Sequence, residues 1–113
     1  MSGLSTHILD LARGRPAAGV TVVLARLTGG DWKEVGRGDT DADGRVSRLL
    51  PEGAPLERGT YRLLFDTGGY FRARGREPFY PEVTVVFAVS DPASHHHVPL
   101  LLSPYGYSTY RGS

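Results

Sequence analysis

Apolar residues in this chain recur at every second position, and the strongest runs are β-branched. That pattern fits a pleated, half-buried sheet and not a helix. In GVTVVLAR, Val20, Val22 and Leu24 fall on one face and Thr21, Val23 and Ala25 on the other. TYRLLFD places Tyr61, Leu63 and Phe65 together, and EVTVVFAV does the same with Val83, Val85, Phe87 and Val89. Weaker strands are expected in LSTHILD (4–10), in WKEVGRG (32–38) and in two halves of the last segment on either side of Ser103 and Pro104. Pro104 cannot donate to a ladder and should break that segment. Turn-tolerant residues fill Gly14 to Pro16, Thr28 to Asp31, Asp41 to Gly44, Pro51 to Pro55 and Ser90 to Ser94. Many short strands punctuated this regularly predict an all-β sandwich. One helical turn or two is expected around Asp66 to Ala73, against the preference of Gly68 and Gly69.

A chain of 113 residues and 12.3 kDa fits one domain over 1–113, with one core and no linker or repeat. So small a chain leaves apolar surface uncovered, which a second subunit can bury. The formal charge of +1 gives no electrostatic reason to expect nucleic acid or an acidic membrane as partner. With no cysteine, disulfides, thiolate catalysis and sulfur-ligated zinc are excluded. The start, MSGLSTHILDLARG, has no export-signal pattern, no run approaches the roughly 18 residues of a bilayer span, and no Ser-Lys-Leu terminus is present. The expectation is a soluble, cytoplasmic protein.

Histidine exchanges protons near neutrality, with an ordinary pKa of roughly 6.5. There are four: His7 in the first strand and His95, His96 and His97 in a row. In an extended segment His95 and His97 face one way and His96 the other, so the run cannot act as one cluster. Taken alone it reads as a solvated strand start. The residues that follow favour a site: His97, Pro99 and Leu101 share a face, as do Gly106, Ser108 and Tyr110 beyond Pro104. If those faces coincide, they offer an imidazole, a hydroxyl and a phenol with little bulk, suited to a small polar ligand.

Arg45, after the turn DADG, is either a solvated loop-edge charge or a planar fork that holds a carbonyl or anionic oxygen. Tyr110, Arg111, Gly112 and Ser113 form either a frayed tail or a segment that folds back on a site. No His-x-x-x-His helix or cysteine accompanies the histidines, so no metal and no other cofactor is expected. A Ser-His-Asp triad is not indicated, because no G-x-S-x-G elbow is present.

Over nearly its whole length the chain resembles the transthyretin-like hydrolases. The resemblance is carried by LSTHILD at 4–10, by GR at 44–45 and by HHHVPLLLSPYGYSTYRGS at 95–113. It implies a two-sheet transthyretin-like β-sandwich with one short helix, assembled as a homotetramer, a dimer of dimers, with sites in the channel where dimers meet. The implied reaction is hydrolysis of the N1–C6 amide of 5-hydroxyisourate to 2-oxo-4-hydroxy-4-carboxy-5-ureidoimidazoline, in urate degradation. His7, Arg45 and His97 would be catalytic, and Ser108, Tyr110, Arg111, Gly112 and Ser113 would bind substrate. The final YRGS separates the hydrolases from the hormone carrier transthyretin, where the position matching Tyr110 is smaller and the channel deeper. Two other readings compete. A carrier holding a small aromatic ligand would not need two histidines, Arg45 and an intact YRGS; an adhesive sandwich leaves the polar last strand unexplained.

Overall fold

The computed structural model describes residues 3–113. Among the described residues nine strands and one helix follow in the order β1 (Gly3–Asp10), β2 (Arg15–Pro16), β3 (Thr21–Thr28), β4 (Asp31–Asp39), β5 (Arg45–Val46), β6 (Gly59–Phe65), α1 (Thr67–Ala73), β7 (Val83–Val89), β8 (His95–Ser103) and β9 (Gly106–Thr109). They form two sheets. The first runs β2-β1-β8-β9 with β5 also on β1, and the second runs β4-β3-β6-β7. This is the expected all-β sandwich with one short helix.

The alternation explains the layers. On β1, Leu4, Thr6, Ile8 and Asp10 are buried while Ser5, His7 and Leu9 stay partly open. On β8 the buried set is His96, Val98, Leu100 and Leu102, joined by Pro99. Across the sandwich Val20, Val22, Leu24, Tyr61, Leu63, Phe65, Val83 and Val89 complete the core. Burying a side chain of this size contributes roughly 1.5 to 3 kcal/mol, so these two facing rows account for the cohesion of the sheets.

The first sheet departs from the simple hairpin pattern at its centre. β1 and β8, whose paired residues lie 92 positions apart, pair in parallel from Gly3 opposite His95 to Asp10 opposite Leu102. The other edge of β1 is shared by two fragments: β2 pairs with Leu9 and Asp10, and β5 with Thr6 and His7. Arg15 and Pro16, expected within a turn, therefore belong to a two-residue strand. The turn is shorter than its composition suggests, because Pro16 sits at an edge where its missing N–H costs nothing. In the second sheet the β3–β4 register shifts between Leu24 and Ala25. There Leu24 faces Gly36 and Ala25 faces Glu34, which leaves Val35 extra on β4 and packed against the core. Ala25, placed by alternation on the outer face, is buried there.

Helix α1 forms in spite of its glycines. Asp66 caps it by accepting from the Gly69 N–H at 3.0 Å, and Tyr70 and Phe71 bury its inner side. Gly68 is required by contact, since a Cβ there would lie 2.6 Å from the Pro81 carbonyl oxygen. The Tyr70 hydroxyl donates to Asp10 Oδ2 at 2.6 Å and ties the helix to the end of β1. Burial, and then that hydrogen bond, push the Tyr70 phenol above its ordinary pKa. Among the described residues no helix is long and apolar enough to cross a membrane.

Candidate functional site

The outward face of the first sheet collects the polar groups that alternation keeps from the core. In register, Ser5 lies opposite His97 and His7 opposite Pro99 across the β1–β8 ladder, while His7 lies opposite Arg45 across β1–β5. Directly opposed residues on one face are neighbours, with Cβ atoms roughly 4.5 to 5.5 Å apart in an antiparallel pair. Arg45, His7, Ser5 and His97 therefore form one patch although their sequence positions span most of the chain.

Local chemistry holds Arg45 there. Asp41 Oδ1 accepts from the N–H groups of Asp43 and Arg45 at 2.9 and 3.0 Å, closing the DADG turn. Gly44 turns the chain with φ of 72°, and its carbonyl accepts from the Ile8 N–H at 2.7 Å. The turn is thus fastened to β1 next to His7. Arg45 itself is exposed and free to meet a ligand.

His97 is the most constrained of the imidazoles on this face. Its Nδ1 lies 2.8 Å from Ser5 Oγ, and its backbone carbonyl accepts from the Gly112 N–H at 2.8 Å. That bridge folds the tail back over β8, as one of its two readings required. The approach is close: a Cβ on Gly112 would stand 2.6 Å from His97 Cδ2. Partial burial, and then the positive charges of Arg45, His7 and His95, hold His97 below the ordinary imidazole value. Its neutral form is favoured, with a lone pair available to accept a proton.

The remaining predicted residues lie in β9 and the tail that follows it. The β8–β9 register sets Leu101 opposite Ser108 and Ser103 opposite Gly106, so Ser108 and Gly106 share the face of His97 as the spacing suggested, while Tyr110 lies beyond the end of β9. Tyr110 is 57% exposed; with Arg111 it lines a cleft of about 200 Å³ together with Val85 to Ala88, His96 and Val98. Ser113 is exposed. One chain therefore gathers His7, Arg45, His97 and Gly112, whereas the cleft of Tyr110 and Arg111 takes His96 and Val98 from the inward-facing set of β8, not His97. Sequence reasoning had left out Ser5, whose hydroxyl also lies 2.8 Å from His95 Nε2. The available signal was parity, because Ser5 shares a face with His7 just as His95 does with His97.

The strand order and this histidine- and arginine-bearing face define a transthyretin-type sandwich. Among solved structures, sea bream transthyretin in complex with thyroxine matches with a TM-score of 0.88 and 36% identity, over 96% of this chain and 93% of that one. Klebsiella pneumoniae 5-hydroxyisourate hydrolase matches with a TM-score of 0.87 and 42% identity, each chain covered in full. The chain belongs to the HIUase/Transthyretin family, whose model matches residues 4–112. The 5-hydroxyisourate hydrolase of Caulobacter vibrioides is 52% identical over 117 aligned residues, covering all of both chains.

Proposed function

We propose that the outer face of the first sheet hydrolyses 5-hydroxyisourate. The observation that carries this reading is the union of Arg45, His7 and a neutral-favouring His97 on one face. The relatives named for this activity support it. His97 acts as general base and takes a proton from water, whose oxygen adds to C6 of the substrate. Arg45 holds the C6 oxygen through its planar fork as negative charge develops. His7, beside Arg45, orients the water. When the N1–C6 bond breaks, the proton held by His97 passes to N1, and the ring opens to 2-oxo-4-hydroxy-4-carboxy-5-ureidoimidazoline. No metal enters this sequence.

Ser108, Tyr110, Arg111, Gly112 and Ser113 bind the flat substrate. Their place along a sheet edge favours a site completed by another copy of the chain. Among the described residues both sheets end in unpaired edge strands, β7 and β9, with Val86 57% and Tyr107 43% exposed. Such edges invite pairing with a second subunit, in keeping with a dimer of dimers. The cysteine-free composition suits the reducing cytoplasm.

The test is direct: 5-hydroxyisourate is generated from urate with urate oxidase, and its ultraviolet decay is followed with and without catalytic amounts of chelator-treated protein. Accelerated decay is expected. Decay at the spontaneous rate, with well-folded protein that binds an aromatic ligand, would favour a carrier instead.

A further inference from the structure

Ser5 Oγ lies 2.8 Å from His95 Nε2 and 2.8 Å from His97 Nδ1. A serine hydroxyl has a single proton, so it can donate to only one of these nitrogens and must accept from the other. When both rings are neutral, their tautomers are therefore coupled through Ser5. Parallel register builds the arrangement, with Gly3 opposite His95 and Ser5 opposite His97. Gly3 leaves room for the His95 ring: its φ is 146°, and a Cβ there would lie 3.3 Å from His95 Nδ1. Gly112 closes on the Cδ2 edge of His97. His97 is thus held at Nδ1 and along one edge, and Nε2 is the ring nitrogen left for a ligand.

We propose that Ser5 and His95 are positioning residues that set the tautomer of His97. His97 Nδ1–H donates to Ser5 Oγ, the Ser5 hydroxyl donates to His95 Nε2, and the His97 Nε2 lone pair is presented to the site. The direction of this chain follows from Arg45, since a cation beside the patch favours a lone pair over an N–H on the open nitrogen. The same charge helps to keep the ring neutral. When water loses its proton to Nε2, the resulting imidazolium still donates from Nδ1 to Ser5, so the chain also stabilises the protonated base. Which ring nitrogen carries the proton is decided by the bond the other one makes.

The catalytic part of this inference rests on the hydrolase reading; the tautomer does not. Nitrogen-15 histidine labelling and long-range proton–nitrogen spectra of the free protein, recorded well above the ordinary imidazole pKa, read the tautomer without turnover. Wild type is expected to show His97 protonated at Nδ1. Ser5→Ala and His95→Phe should move a large share of His97 to the Nε2–H form, while Ser5→Thr and His95→Gln, which keep a hydroxyl and an acceptor, should retain the wild-type signal. In the 5-hydroxyisourate assay kcat/KM should fall about tenfold in the first pair and recover in the second, a smaller loss than the roughly 10² to 10⁴ that a general base contributes. The proposal is overturned by a His97 tautomer that is Nε2–H in wild type or unchanged in folded Ser5→Ala, and equally by full activity in that variant. A protein with no turnover whose His97 tautomer nevertheless follows Ser5 would refute the hydrolase reading and support the tautomer assignment.

Discussion

Gly44 is the residue on which the position of Arg45 depends most. It adopts the left-handed φ of 72°, and a Cβ there would lie 2.5 Å from the Ile8 carbonyl oxygen and 3.0 Å from Pro16 Cβ. Gly44→Ala combines backbone strain with a clash against β1, and should destabilise the fold by about 1 to 3 kcal/mol. It should also reduce turnover tenfold or more, because displacing a catalytic group by about 1 Å can cost roughly 10² in rate. Denaturant midpoints and initial rates check both effects; unchanged values would mean that the turn does not hold Arg45. At this scale the sequence was readable by residue type. The histidines, the arginine after DADG and the polar tail each admitted a bland and a chemical reading, and parity together with the resemblance favoured the second. The bond from Ser5 to His95 and His97 was not readable, because it arises from a register between segments some 90 positions apart.

Among the elements, β3 and β7 were legible because alternation and β-branching agree over seven or eight residues, and β6 because Tyr61, Leu63 and Phe65 alternate. β2 and β5 were not, since a strand of two residues has no period to detect. Their existence follows from β1, which offers a second edge that Arg15, Pro16, Arg45 and Val46 fill. Helix α1 shows packing prevailing over propensity. Two glycines disfavour it by roughly 1 kcal/mol each relative to alanine. Against that stand the Asp66 cap, the buried Tyr70 and Phe71, and the hydrogen bond from Tyr70 to Asp10, which is only 2% exposed. The parallel β1–β8 pair, which brings Ser5 opposite His97, was the least legible element pairing because local sequence contains no sign of a distant partner.

For the molecule as a whole, the sandwich was readable and the assembly was not, because one chain's pattern does not say which apolar edges meet another copy. Val86 lies near the middle of edge strand β7 with its side chain 57% exposed. A charge there should oppose edge-to-edge pairing. Sedimentation equilibrium should give four times the 12.3 kDa chain mass for wild type and a smaller species for Val86→Lys. The variant should also lose turnover, since the proposed substrate-binding residues Tyr110 and Arg111 would lack a facing subunit. A wild-type monomer with full activity would remove the need for a shared site.

The most direct measurement is the pH dependence of kcat/KM for 5-hydroxyisourate, comparing wild type with His97→Asn. In the proposed mechanism His97 acts in its neutral form, and burial with nearby positive charge lowers its pKa from 6.5. Wild-type kcat/KM should therefore fall to half its plateau only at a pH below 6.5, on titration of His97. His97→Asn should lose roughly 10² to 10⁴ in rate and, with it, that acid limb. A folded His97→Asn protein with wild-type rates and an unchanged profile would contradict the assignment of this face as the hydrolytic site.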